Sequence, residues 1–321
     1  MTATIETPAV TPTPAGGRKG RTRPVATRVP GQKSAVAVLL TPFAALCVGV
    51  FVIPAAYAIY LSFFSMSASG LGFGTARTVF VGFRNFTVVL TDPSFLRSIG
   101  VTLAYVVLYI PLLVVGSLLL ALLLDSGLAK ARRFAQTALY LPHAVPGIIA
   151  TIIWLYLYTP GISPVLTALQ GLEIRIDLLG QTLLIPSMVN IALWGGLGYN
   201  MVIFYAALQA VPRDLLEAAA VDGAGAIRTA LQVKVPLLRA SVVTVSMFTL
   251  VGSLQLFTEP MLLAQATPLI GGRFTPNMYI YDAAFNRSNY GLAAAASVLL
   301  LVLCCLLSYA VARYSSRGAK A

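Results

Sequence analysis

Residues 99–124 read IGVTLAYVVLYIPLLVVGSLLLALLL, 26 residues without a charge. A helix needs about 20 apolar residues to cross a hydrocarbon core. This stretch exceeds that length, and it lacks the in–out alternation of a membrane β-strand. Five further apolar stretches share its character, at 35–64, 136–158, 183–210, 240–263 and 290–312. The pattern predicts an all-α integral membrane protein with six transmembrane helices. The first stretch is longer than a span requires and contains Pro42 and Pro54, which predicts a kink or a portion outside the core.

Composition excludes the main soluble classes. Of 321 residues, 58% are hydrophobic and 10% charged, and the mean hydropathy is +0.85. Soluble domains carry roughly 25% charged residues. A core of this length could not hide so much apolar surface from water, so a soluble enzyme, a secreted disulfide scaffold and a nucleic-acid binder are ruled out. The net charge of +12 therefore needs a membrane explanation. Cys47, Cys304 and Cys305 lie in apolar runs without metal or redox spacing and read as small hydrophobes.

The six spans sort the basic residues by side. Arg77, Arg84, Arg97, Arg175, Arg273 and Arg287 fall on one side, and every lysine and all remaining arginines fall on the other. The positive-inside rule then predicts that both termini are cytoplasmic. Residues 1–34, Thr/Pro-rich and then basic, are expected to form a disordered cytoplasmic tail, and 313–321 a second short tail. The apolar run after residue 34 is too long for a signal peptide's h-region of roughly 7–15 residues, so a retained first helix is expected.

Several chemistries lack their residues. There is no G-x-x-x-x-G-K-[ST] for ATP. The single histidine, His143, sits in LPHAVPG at the start of the third stretch without a carboxylate in the same span, and reads as a packing or hydrogen-bonding group rather than a proton relay. Ion-coupled carriers place carboxylates near the bilayer midplane. Here Glu259, at the end of the fifth stretch, comes nearest to that, so the driving force is expected from outside the chain. Asn85-Phe86-Thr87 and Asn286-Arg287-Ser288 fit a glycosylation pattern that arises often by chance.

The longest connection on the basic side, 212–239, reads PRDLLEAAAVDGAGAIRTALQVKVPLLR. Pro212 opens a short helix with Asp214 and Glu217 in its first turns, where negative charge suits the dipole. Asp222-Gly223 should end it, since glycine readily takes the left-handed stop conformation. A second short helix should follow, with Ile227, Ala230 and Leu231 on one face and Arg228 and Gln232 turned away, ending at Pro236. A helix–turn–helix in an aqueous loop, small and apolar on one side, is a surface suited to docking another protein.

Glu217-Ala218-Ala219, three residues, Gly223, nine residues, then Val233-Lys234-Val235-Pro236 resembles the EAA loop of ABC-importer permeases, E-A-A-x3-G-x9-I-x-L-P, with Val at both the Ile and Leu positions. The resemblance extends over roughly 95–312. Phe134 to Tyr158, with Leu141, Pro142 and Trp154, is similar to the third span of carbohydrate-uptake permeases of the maltose and glycerol-phosphate type. Trp194 to Pro212 is similar to their fourth, and Phe285, Tyr290, Gly291, Ala294 and Ser297 to the entry of their last. These permeases often carry L-T-x-G-G-P after span five. This chain instead has Thr267-Pro268-Leu269-Ile270-Gly271-Gly272.

The resemblance implies a type I ABC importer permease fold in a bacterial plasma membrane, working without its own cofactor. A second permease subunit, two ATP-binding cassette ATPase subunits holding ATP and magnesium, and an extracytoplasmic solute-binding protein would complete the importer. Glu217, Ala218, Ala219, Asp222, Gly223, Val233, Val235 and Pro236, within 212–238, are the implied ATPase contact. The family's sugar-contacting positions correspond to Gly195, Gly196, Tyr199, Thr249, Gly252 and Ser253. Only Tyr199 keeps a side-chain match, so the resemblance does not carry the identity of the sugar. Asn190, Trp194 and Asn200 in span four, and Gln255 and Glu259 in span five, add neutral hydrogen-bonding groups, aromatic surface and one carboxylate. Tight helix packing through Gly and Ser is the competing reading of these positions. Other solutes, such as polyols, glycerol phosphates or oligopeptides, stay open, with neutral ones favoured because the spans hold no basic residue. A stand-alone carrier leaves the EAA spacing unexplained, and an intramembrane enzyme lacks a nucleophile–base or metal constellation.

Overall fold

The computed structural model describes residues 32–67, 77–126 and 131–318. Residues 1–31 of the tail read above as disordered, and Lys130, lie outside the described residues. Two units are distinguished, Met1–Ile53 and Pro54–Ala321. In the first, α1 (Gln32–Cys47) passes Pro42 and runs into a π-helical turn, Val48–Val52, where the Ile53 N–H reaches back to the Val48 carbonyl.

In the second unit α2 (Ile53–Ser62) leads into a hairpin that the sequence reading did not anticipate. Strand β1 (Phe64–Ser67) pairs antiparallel with β2 (Arg77–Phe80), Phe64 opposite Phe80. Next come α3 (Arg84–Thr91), α4 (Pro93–Asp125), α5 (Arg132–Tyr140), a 3-10 turn (Leu141–Ala144), α6 (Gly147–Tyr158), α7 (Pro164–Gly171) and α8 (Leu184–Gln209). The loop read as helix–turn–helix holds α9 (Arg213–Val221), α10 (Ala226–Thr229), a π turn (Ala230–Lys234) and α11 (Val235–Leu237). The chain ends with α12 (Arg239–Leu254), α13 (Thr258–Leu263), α14 (Pro276–Tyr281), a π turn (Asp282–Asn286) and α15 (Tyr290–Gly318). Helix α15 runs beyond residue 312, so the expected tail begins as helix.

Ala37–Ser62, α4, α8 and Tyr290–Arg313 are each long and apolar enough to cross a membrane. The third and fifth stretches are not straight spans, which corrects the sequence reading. The third bends by 92° between α5 and α6. Pro142 and Pro146 lack the N–H that a helix would use, and each ring crowds the preceding turn. The 12 residues of α6 rise only about 18 Å. The fifth stretch joins Ala226–Leu237 to α12 through a 64° bend and breaks again at 255–257, so 240–263 is two helices. Pro236 does not stop the second loop helix as expected. The π turn Ala230–Lys234 precedes it, with the Val235 N–H bonded to the Ala230 carbonyl, and absorbs the missing donor. The same i→i+5 bond stands one residue before Pro54.

Contacts between the connections show an alternating path. Tyr279, between α13 and α15, donates to Asp92, which precedes α4, at 2.8 Å. Thr267 donates to the Leu179 carbonyl, which precedes α8. Asn85 is buried and donates to the Ser62 and Phe64 carbonyls, which accounts for one apparent glycosylation match as structural. At the other end Lys234 meets Asp125. The connections after odd-numbered spans thus touch one another, and so do those after even-numbered spans.

The packed faces mix small and polar residues with large apolar ones such as Leu113, Met201 and Phe204, while the outer faces are apolar. On α4, Thr102, Ser117 and Ala121 are buried, whereas Val115, Leu119 and Leu123 are exposed. Helices α4 and α8 form the most extensive helix pair. Gly198 of α8 permits α5 to approach, since a Cβ there would overlap the Leu139 carbonyl. Gly198→Ala is therefore predicted to cost roughly 1–3 kcal/mol, the range of core overpacking, read as a lower melting temperature of the purified protein.

Burial works to raise the Asp92 carboxyl. Hydrogen bonds from the Ser94 N–H and the Tyr279 hydroxyl, and the Arg273 charge, outweigh it and hold its pKa below the ordinary value. A depressed folded-state pKa contributes stability above the unfolded pKa that is lost as pH falls through the folded one. Melting temperature is predicted to fall on acidification below about pH 4, and Asp92→Asn to flatten that fall while melting lower at pH 7.

Candidate functional site

A cavity of about 460 Å³ lies among α4, α8, α12 and the two helix breaks. Gly195, Gly196, Tyr199, Thr249, Gly252 and Ser253 all line it. The broken third stretch contributes Pro142, His143, Val145 and Gly147, and the broken fifth contributes Leu256 and Glu259. Backbone without helical pairing is tolerated at membrane depth only where protein or a water-filled cavity satisfies it. Both breaks meet that condition. The Leu256 carbonyl accepts from the Thr275 hydroxyl at 2.9 Å.

The glycines of LWGGLGYN divide their work. A Cβ on Gly195 would meet nothing within 4 Å, so its backbone is bare to the cavity, as is that of Gly252. A Cβ on Gly196 would stand 2.8 Å from the Tyr109 hydroxyl, so Gly196 lets α4 close on α8. The packing reading thus applies to Gly196 and Gly198 but not to Gly195 or Gly252.

His143 is a hydrogen-bonding group, as expected, but it also faces the cavity. Its Nδ1 lies 3.0 Å from the Gly195 carbonyl, and its ring stacks on Tyr199 with centroids 4.5 Å apart at 16°. A carbonyl can only accept, so Nδ1 carries the hydrogen. The sequence reading missed Tyr105 and Tyr109 on α4, one helical turn apart and both lining the cavity. Two aromatic hydroxyls spaced i, i+4 in an uncharged span were the available signal. Asn200 also lines the cavity, whereas Asn190 donates to the Tyr158 hydroxyl beside a second cavity. Trp194 packs edge-on to Trp154. Two buried side-chain atoms of lining residues have no hydrogen-bond partner, Ser253 Oγ and Glu259 Oε2.

The loop 212–238 is the second feature. Helix α9 carries Asp214 in its first turn and ends in a Schellman motif. The Ala224 N–H bonds the Ala219 carbonyl, the Gly223 N–H bonds the Ala220 carbonyl, and Gly223 takes φ +73°. Ala219 is buried, while Glu217, Ala218 and Asp222 are exposed, and Val233, Val235 and Pro236 are half-buried. Val221 and Ile227 are 88% and 78% exposed, beside exposed Leu215 and Leu231. Arg228 bonds Gln232 at 2.9 Å on the other side of the second helix. Lys234 is tied to Asp125 at 2.5 Å, and Gln209 donates to the same carboxylate at 2.8 Å. This node, partly buried at Lys234 and Asp125 and exposed at Gln209, fastens the loop to the ends of α4 and α8.

Comparison with known proteins gives the family. The family described as binding-protein-dependent transport system inner membrane component matches residues 92–321. The sn-glycerol-3-phosphate transport system permease protein UgpA of Brucella abortus is 34% identical over 272 residues, covering 83% of this chain and 89% of its own. The arabinooligosaccharides transport system permease protein AraP of Halalkalibacterium halodurans is 28% identical over 283 residues, covering 86% of each. A chain from the crystal structure of a bacterial ABC transporter involved in the import of the acidic polysaccharide alginate superposes with a TM-score of 0.75 at 21% identity, covering 89% of this chain and 96% of that one. These matches place this chain in the binding-protein-dependent transport family, as an inner-membrane component.

Proposed function

We propose that the chain is one permease subunit of an ATP-driven importer for a sugar or oligosaccharide, with the cavity as its solute path. The observation that carries this is the convergence of both helix breaks on a space lined by hydroxyl and amide groups, aromatic rings, glycine backbone and a single carboxyl group, that of Glu259. Sugars present hydroxyls for hydrogen bonding and C–H faces for stacking. The family's description supports delivery by a separate binding protein. A second permease subunit and two ATPase subunits complete the reading, and the basic-side loop and both termini are cytoplasmic in it.

The exposed loop supplies the energy coupling in this reading. Leu215, Val221, Ile227 and Leu231 are exposed apolar side chains on a polar connection, and an ATPase cleft would remove them from water. When ATP closes the ATPase pair, each subunit moves the helix it holds. The Gly223 turn and the Lys234–Asp125–Gln209 node pass that movement into α4, α8 and α12, tilting the bundle between two states.

Two substitutions separate the parts. A β-branched residue is strained at a left-handed position, so Gly223→Val is predicted to lower uptake at least about tenfold, on the order of 1.4 kcal/mol of lost coupling, while the protein still inserts. Normal uptake by that variant would remove the turn from the coupling path. A Cβ at Gly195 meets nothing within 4 Å, so Gly195→Leu, which projects into the cavity, is predicted to abolish uptake in proteoliposomes with an unchanged melting temperature.

A further inference from the structure

Another cavity, of about 390 Å³, is lined by both strands of the hairpin, by α3 and by the start of α15. Its volume falls within the roughly 300–1,000 Å³ that small-ligand sites occupy. We propose that it binds the headgroup of an anionic phospholipid, with Arg84, Ser65 and Asn289 around the phosphodiester. The proposal is independent of the solute path. Arg84 is exposed, and among the described residues no carboxylate pairs with it, whereas Arg273 and Arg287 share Asp282. Asn289 Oδ1 accepts from the Leu292 N–H at 3.1 Å, which leaves the Nδ2 hydrogens to donate. The half-buried Ser65 hydroxyl adds a third donor group. Asn85 adds none, because its amide nitrogen already donates to the Ser62 and Phe64 carbonyls.

Charge and position narrow the ligand. Among the described residues no acidic side chain lines this cavity. A guanidinium with neutral donors and no carboxylate suits the oxygens of a phosphodiester. The ammonium of phosphatidylethanolamine would find no counter-charge there, so an anionic headgroup of the phosphatidylglycerol type is preferred. Ser62 ends the first membrane-length stretch and Tyr290 opens the last, so the cavity between them lies at a membrane–water boundary. Tyr60, Phe80, Phe83 and Tyr290 are exposed around it in sequence, and aromatic rings at span ends mark the headgroup layer. The hairpin and α15 already meet closely, since a Cβ on Gly291 would overlap the Phe64 carbonyl. A phosphate held by the three side chains would fasten the hairpin and α3 to α15.

The test is native mass spectrometry of the delipidated, purified full-length protein. The probes are phosphatidylglycerol, phosphatidylethanolamine and the chain-free headgroup glycerophosphoglycerol. Phosphatidylglycerol is expected to bind at least about tenfold more tightly than the other two, the scale of one charged hydrogen bond, and to raise the melting temperature. Arg84→Gln should weaken its binding about tenfold on the same scale. Arg84→Lys, which keeps the charge, should retain more and guards against misfolding. Asn289→Asp keeps the acceptor for the Leu292 N–H but replaces the donor with a negative charge, and should also weaken binding. Arg97→Gln removes another exposed arginine of the same side, one that does not line the cavity, and should change nothing. Equal binding of the two lipids, unchanged binding by Arg84→Gln, or an equal loss from Arg97→Gln overturns the proposal. Equally tight binding of the chain-free headgroup overturns it too, making this a site for a soluble phosphodiester. Unchanged lipid binding by Arg84→Gln with weakened docking of a solute-binding protein would assign the face to that protein instead.

Discussion

A backbone placed in hydrocarbon must satisfy its own N–H and C=O groups, and that constraint orders the whole structure. Four stretches obey it as continuous helices. Two do not, and their interruptions converge on one cavity, where hydroxyls of Thr275 and the ring of His143 bond to carbonyls at the breaks and on α8. The side chains that satisfy the backbone at and beside the breaks are therefore part of the site. A bundle of six straight helices built from the same composition would lack the side-chain-bonded carbonyls at the breaks, the inward His143 and the cavity-lining Glu259.

Proline and glycine carry most of this design. Pro142 and Pro146 remove helical donors and turn α5 away from α6 by 92°. At Pro236 the effect differs, because a π turn supplies one extra residue and the helix continues. Gly198 lets backbone meet backbone across α5 and α8, and Gly223 gives the loop its left-handed turn. The node at Asp125 then joins that loop to the ends of α4 and α8, two of the helices that line the cavity.

Much of this was legible in residues alone. Uncharged length located the four continuous spans, although α4 begins at Pro93 and not at residue 99, and the acidic start and Gly223 stop of α9 followed from capping chemistry. The spacing of Glu217, Gly223 and Pro236 pointed to the family before any coordinates. What escaped was long-range. The hairpin of Phe64–Ser67 with Arg77–Phe80 is held by Asn85 and by close packing at Gly291, neither of which has a local signature. Tyr105 and Tyr109 look like ordinary span aromatics until α8 is set against them. The bend in the third stretch was written in its two prolines, but its apolar length argued more loudly for a straight span.

The claim that the exposed loop seats in an ATPase and passes its motion inward is tested most directly by site-specific photo-cross-linking. A benzophenone side chain placed at Leu215 or Ile227, both exposed on the loop, is compared with one at Val107, exposed on the apolar face of α4. The account predicts a covalent adduct to a Walker-motif ATPase from the two loop positions and none from Val107. Loop positions that label only lipid, or label the ATPase no more than Val107 does, would contradict it.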